Sequence, residues 1–324
     1  MPESLNVPDA FAAYAAQLTA STNFADEDDL PDLDPVENII QKKKLSLDRQ
    51  AMSFETTKIA EYFGLGSVGE LQEEFIRKFL DANPQYISPS AYSFKDKKPL
   101  VGIEVEVENI LKIAPDIPLC FWVIETDGSL RNNGREFKTY PLPLSYIESA
   151  LIQLFRGLNS DIDFSKRTSI HIHVDVRQLT LSQVTGMLFI YTALENLLFK
   201  FASAERRRNI FCVPITETNL LTTTWKNPAM MYRDLHNVWQ KYTALNLLPL
   251  EKFGTLEFRQ MPGTSSIRKI CIWADMLTRM RVFAYRYSLP EIVAMISDLN
   301  TSSRYRHFVE MVFEDLIQFL DLSS

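Results

Sequence analysis

The sequence predicts an α+β protein, with a helical N-terminal segment ahead of a body that contains a sheet. Three observations carry that reading. Strict period-two alternation recurs after residue 100, which marks half-buried strands. Long stretches of helical periodicity lie between and after those strands. Before residue 99 the apolar spacing is helical where it is regular at all.

Composition narrows the function classes. The chain has 324 residues, 46% of them hydrophobic and 23% charged, enough for a large core in one large domain or two ordinary ones. The net charge of −7 is unevenly placed: residues 1–41 hold nine acidic residues and no Lys or Arg, leaving 32 acids against 34 bases beyond them. The body is therefore near neutral, which argues against general nucleic-acid binding. Cys120, Cys212 and Cys271 form no CxxC pair, the pattern of free thiols in a reducing compartment. The N-terminus has no basic region followed by an apolar one, so no signal peptide is read. The expected location is cytoplasmic, in the host cytoplasm if the protein is phage-encoded. No membrane association is expected, because the most apolar window, 181–201, contains Glu195 and Lys200 and repeats like a core helix.

The elements follow in order. Residues 1–45 read as an acidic, largely flexible arm, with a short Ala-rich helix from Ala10 to Leu18 and the run from Asp26 to Asp34. It is a tether, or a docking arm for a protein partner. Residues 46–98 read as two helices and a linker, with Ile59, Tyr62 and Phe63 apolar on the first and Leu71, Phe75, Phe79 and Leu80 on the second. Between them Gly64-Leu65-Gly66-Ser67-Val68-Gly69 is a literal GxGxxG. It follows a helix rather than a strand, so a helix end and turn explain it better than a dinucleotide site. Residues 99–290 form the expected catalytic body. Its strands are 101–108, 121–125, 135–140, 169–176, 244–248 and 255–260, and its helices 144–158, 181–201 and 266–287. Residues 291–324 are expected to be helical, from about 304 to 321, and packed on the core.

Sorting the strands by face gives the chemistry. Val101, Ile103, Val105 and Val107 share one face of the first strand, and Glu104, Glu106 and Glu108 share the other. Two ionised carboxylates about 7 Å apart repel by about 2 kcal/mol at an effective dielectric near 20, a cost that a bound cation removes. Glu136 and Lys138 share a face with Phe137 behind. His171, His173 and Asp175 share a face with Ile170, Ile172 and Val174 behind, and Thr255, Glu257 and Arg259 one with Leu256 and Phe258 behind. Carboxylates with one or two imidazoles and no thiolate suit Mg²⁺ or Mn²⁺ better than structural zinc. Arg259, beside Glu257, suits phosphate oxygens. No GxxxxGK[ST] occurs, so a P-loop is not available.

The ordered set GIEVEVE, TDGSLRNNGREFKTYPLP, SIHIHVDV, YTALNL and GTLEFRQMPGT resembles the amidoligase branch of the glutamine synthetase/glutamate–cysteine ligase superfamily, over residues 100–285. The resemblance implies a strongly bent antiparallel sheet with helices on its convex side and the active site in its concave face. It implies an ATP- and Mg²⁺-dependent carboxylate–amine ligase that works through an acyl phosphate. Glu104 and Glu106 match the family's metal-binding ExE strand and would bind different ions. Glu136 would join Glu106 at the substrate-side metal, and His171 and Glu257 would join Glu104 at the metal on the nucleotide phosphates. His173 and Arg259 match phosphate-contacting positions, and Asn246 a position in the active-site strand. Asp127 falls near where the attacking amine is placed, so the amine's proton would go to Asp127 or to Glu108. Many relatives carry a second Glu beside the Glu136 position, which this chain lacks. The partners implied are a nucleotide, a carboxylate and an amine, as small molecules or peptides, and an oligomer is compatible with all of this. Two other readings stay open: a phage binding or structural protein that reuses the fold without catalysis, and a guanidine-kinase-like phosphotransferase.

Overall fold

The computed structural model describes residues 52–65, 99–111, 121–158, 162–220 and 228–322. The acidic arm, the second N-terminal helix, the linker up to residue 98 and Cys120 lie outside the described residues. At the N-terminal end, helix α1 (Ile59–Phe63) stops at Gly64, whose φ of 66° is left-handed and costs glycine little. The first glycine of GxGxxG is thus a helix C-cap. Gly66 and Gly69 lie outside the described residues.

The alternating stretches form one antiparallel sheet. Its strands are β1 (Leu100–Val107), β2 (Trp122–Glu125), β3 (Arg135–Thr139), β4 (Leu142–Pro143), β5 (Ser169–Asp175), β6 (Leu245–Asn246) and β7 (Thr255–Pro262). They run in the order β2-β3-β1-β5-β7-β6, with β4 also paired to β1. The sheet is bent, and a register shift between Ile170 and Ile172, where β5 meets β7, marks one irregularity in it. The β2–β3 hairpin turns through Asn132 and Asn133, both at positive φ, which asparagine tolerates. The sixth strand is shorter than its apolar run suggests. Asn246 Oδ1 accepts the Leu248 N–H at 3.1 Å, and Pro249 then opens a short helix, so pairing ends at Asn246.

One face of the sheet is sealed. Val101, Ile103, Val105, Phe137, Ile170, Ile172, Val174, Leu256 and Phe258 are all buried beneath α2 (Ile147–Gly157), α3 (Leu181–Ala202) and α7 (Ile267–Arg286). Helix α3 is long and apolar enough to cross a membrane, but most of it is packed inside the protein. Five short or terminal α-helices complete the described set: α4 (Pro228–Arg233), α5 (Leu235–Val238), α6 (Pro249–Phe253), α8 (Leu289–Ser297) and α9 (Ser302–Phe313). Helix α8 falls largely in the segment 291–324 expected to be helical, ahead of the helix placed at about 304–321, and it packs on α3. The last expected helix divides at Glu314, whose φ of 53° ends α9 and opens a 3-10 turn through Phe319.

A polar chain crosses the sealed layer. Gln260 donates to the Tyr191 hydroxyl at 2.5 Å, and that hydroxyl donates to Glu195 at 2.9 Å. Glu195 also accepts the N–H groups of Ile215 (2.8 Å) and Thr216 (3.0 Å) and the Thr216 hydroxyl (2.5 Å), pinning the loop after α3. Its role here is structural. Glu195→Ala strands these four donors in a dry interior, so urea denaturation should show a loss of about 3 kcal/mol. An unchanged unfolding midpoint would refute this account.

Candidate active site

The open face of the sheet collects what the alternation placed there. The register sets Glu104 across from Lys138 on one side and His171 on the other. It sets Glu106 across from Glu136, and Glu257 across from both His173 and Asn246. These groups line a cleft of about 720 Å³. All nine expected site residues (Glu104, Glu106, Asp127, Glu136, His171, His173, Asn246, Glu257 and Arg259) are in its wall.

The centre is a chain of close polar contacts. His171 Nδ1 lies 3.1 Å from Glu104 Oε2 and 3.3 Å from Glu257 Oε1, so the trio expected at the nucleotide phosphates meets at one imidazole. His173 Nε2 is buried and lies 3.4 Å from Glu104 Oε1. Asn246 donates to Glu257 Oε2 at 2.7 Å, and the Arg259 guanidinium pairs with Glu257 Oε1. Ser169, first of the alternating polar positions on β5, donates to Glu106 Oε2 at 2.6 Å and lies 2.7 Å from His171 Nε2. Lys138 reaches Glu136 at 2.8 Å, Glu125 at 3.0 Å and Glu104 at 3.7 Å.

Three sets of donor atoms come within 4.8 Å of one another: Glu104, Glu136 and His171; Glu104, His173 and Glu257; and Glu106, Asp127 and Glu136. The third is informative. Asp127 lies in the loop before the β2–β3 turn, with Oδ1 fixed by the Ser129 N–H at 2.7 Å. It brings a third carboxylate to Glu106 and Glu136, where the sequence lacks a second Glu. Glu108 does not belong to the cleft. It is buried beyond it and accepts the Arg131 N–H at 2.7 Å. Asp175 accepts the Arg177 N–H at 3.0 Å, an end-of-strand contact.

The electrostatics are those of crowded carboxylates. Burial and the charge of Glu104 push Glu136 up to about 8, against the pull of Lys138. Burial works against ionisation of Glu104 too, but hydrogen bonds and charge from His171 and His173 hold it well below the usual carboxylate range. Glu257, also opposed by burial, is lowered by Arg259 and both histidines. Burial would depress His173, yet Glu104 and Glu257 raise it. The donor set therefore fits hard divalent cations: the carboxylates are nearly desolvated, converge from different strands, and include no thiolate.

Sequence reasoning missed some of the wall. Ser169 was legible as the same-face neighbour of His171. Arg167, Lys241 and Tyr242 come from loops with no periodic signal. The run Arg206-Arg207-Arg208 reads from sequence as a solvated helix end, with a grip on a nucleotide or a carboxylate as the less favoured alternative, and the 3-10 turn at Ala204–Arg208 sends the three apart. Arg207 pairs with Glu217 at 2.7 Å, Arg208 is exposed, and Arg206 is buried in the cleft wall. Beyond Glu104 and His173 the cleft adjoins a recess of about 390 Å³ lined by Gly102, Val123, Pro141 and Phe253 among others.

A family model described as "Putative amidoligase enzyme" matches residues 61–280, which span α1 through most of α7. No curated protein sequence matches the chain.

Proposed function

The chain belongs to the amidoligase family, a family of ligase-type enzymes, and from that premise we propose that it is an ATP- and Mg²⁺-dependent carboxylate–amine ligase forming an amide or isopeptide bond. The observation that carries this reading is the convergence of Glu104, Glu106, Asp127, Glu136, His171, His173 and Glu257 with Arg259 on one open sheet face. Glu104, His171, His173 and Glu257 would hold a metal on the nucleotide side, and Glu106 and Glu136 one on the acid side, with Asp127 beside it. When bound, such ions neutralise phosphate charge in a site of low dielectric.

The chain's own groups then have defined tasks. The adjoining recess, more apolar than the cleft, suits the base end of the nucleotide and points the phosphates over Glu104. An oxygen of the acid attacks the γ-phosphorus, the bond to the β-phosphate oxygen breaks, and ADP leaves with that electron pair. Arg259 draws off charge from the phosphoryl oxygens. The amine nitrogen next attacks the acyl carbon, inorganic phosphate departs, and the nitrogen gives up its proton. Asp127, half-exposed at the cleft with one oxygen fixed by Ser129, is the carboxylate placed to take it.

Calorimetric titration with ATP, with and without Mg²⁺, tests the reading on the wild type and on Glu257→Ala. Mg²⁺-dependent binding that falls by a factor of about 10 to 100 in the variant is expected, since that change removes one metal donor and frees Arg259 and Asn246 from their shared partner. ATP binding that ignores Mg²⁺, or ignores the substitution, would overturn it.

A further inference from the structure

Arg206 is a buried cation without a carboxylate. Its side chain is 7% exposed and lines the active-site cleft. One nitrogen, Nη2, donates to the backbone carbonyl of Arg259 at 3.0 Å, while Nε is buried with no partner. Among the described residues no carboxylate lies within ion-pair distance of it. Around it stand the Cys212 thiol, which it hydrogen-bonds, and Glu106, both of which favour the cation, and Arg259, which opposes it. A guanidinium held this way is costly to the fold, because no paired carboxylate offsets its desolvation and a second guanidinium stands alongside. Contrast Arg259, whose charge is met by Glu257. Such a cost persists where an anion arrives to remove it.

The position says which anion. Arg206 hydrogen-bonds the Arg259 backbone in the wall of the cleft that also holds Glu106, and Arg259 reaches back to Glu257 on the nucleotide side. A phosphoryl group that leaves the nucleotide for an acid near Glu106 passes between these two ends. We propose that Arg206 is a catalytic residue that binds the oxygens of the γ-phosphoryl group, a second guanidinium acting with Arg259. This rests on the ligase reading above and adds a residue to it. The group forms no bond to Arg206. The guanidinium donates hydrogen bonds to oxygens whose negative charge is shared as the phosphorus–oxygen bond to ADP breaks.

Two signatures separate this from a structural role. The first is nucleotide discrimination, measured by calorimetry with Mg²⁺ and either ADP or the non-hydrolysable ATP analogue AMP-PNP. Wild type should bind AMP-PNP more tightly than ADP. Arg206→Gln and Arg206→Met should keep wild-type affinity for ADP and weaken AMP-PNP on the order of tenfold, the loss of a charge-assisted hydrogen bond. Arg206→Lys should fall between. The second is the melting temperature of the ligand-free protein. Because the wild-type charge is unpaired, Arg206→Met should melt at the wild-type temperature or above it. An AMP-PNP to ADP ratio unchanged in all three variants overturns the proposal. So does a parallel loss of affinity for both nucleotides, or a lowered melting temperature in both Arg206→Met and Arg206→Lys, since these mark a structural residue. Absence of Mg²⁺-dependent binding of either nucleotide to the wild type sinks the ligase reading itself, and is distinguishable from the other results.

Discussion

Glu106→Gln is expected to lower ATP turnover by a factor of about 10² to 10⁴ while leaving the protein folded. Glu106 is the residue that all the substrate-side geometry refers to. It faces Glu136 across the β1–β3 ladder, shares a donor group with Glu136 and Asp127, and accepts the Ser169 hydroxyl at 2.6 Å. Glutamine keeps the volume and can still accept from Ser169, so packing changes little. What is lost is a negative charge at the place where a cation must sit beside the acid. Without that cation, the developing charge on the acid and on the transferred phosphoryl group is no longer neutralised. The crowded cluster is relieved of one carboxylate, so the ligand-free melting temperature should hold or rise. Two readouts check this: phosphate release with an acid–amine pair found by screening, and Mn²⁺ binding, which needs no substrate. Wild-type turnover together with wild-type Mn²⁺ affinity would remove Glu106 from the site and with it the metal assignment.

Much of this site is legible in the amino-acid sequence, and the reason is specific. A strand has a side-chain period of two, so Glu104 and Glu106, His171 and His173, and Glu257 and Arg259 each announce a shared face. Once Val101 to Val107 and Ile170 to Val174 are assigned to a core, the opposite faces have to meet on the other side of the sheet. What periodicity does not encode is anything delivered by a loop. Asp127 reaches Glu106 and Glu136 because the β2–β3 hairpin folds back against β1, a long-range fact with no local trace. Arg206 differs from Arg207 and Arg208 only in where a 3-10 turn points it. Glu108 shows the converse error. It continues the alternation of Glu104 and Glu106, but β1 ends at Val107 and the side chain is taken by the Arg131 N–H. Helix α8 carries a local signal that apolar spacing alone does not reveal: Ser288 and Glu291 form a capping box, with Pro290 in the first turn, only two residues after α7 ends.

Stability of the metal-free protein should fall as pH rises from about 5 to about 9, and Mn²⁺ or Mg²⁺ should flatten that slope. The sign follows from which state holds more protons. Glu136 is pushed up to about 8 in the fold, whereas an unfolded carboxyl ionises near 4.5. Between those values the folded chain keeps a proton that the unfolded chain has released, so raising pH favours unfolding. His173 acts in the same direction: its elevated value gives stability that is complete below 6.5 and is lost as pH climbs through the folded value. Asp175 and Glu195, both raised chiefly by burial, add to the trend. Glu104 and Glu257 are lowered, so their stabilising contribution is already complete above about pH 5 and adds no slope. A divalent cation binds the deprotonated carboxylates and the neutral imidazoles, so it displaces these protons and binds more tightly as pH rises. The stabilisation it gives should therefore be greatest where the metal-free protein is weakest. Melting temperatures measured across this range, in EDTA and in excess Mn²⁺, decide the matter. A metal-free melting temperature that climbs toward pH 8, or a slope that Mn²⁺ leaves untouched, would mean that Glu136 and His173 do not face bound cations, and the site would have to be rebuilt around other groups.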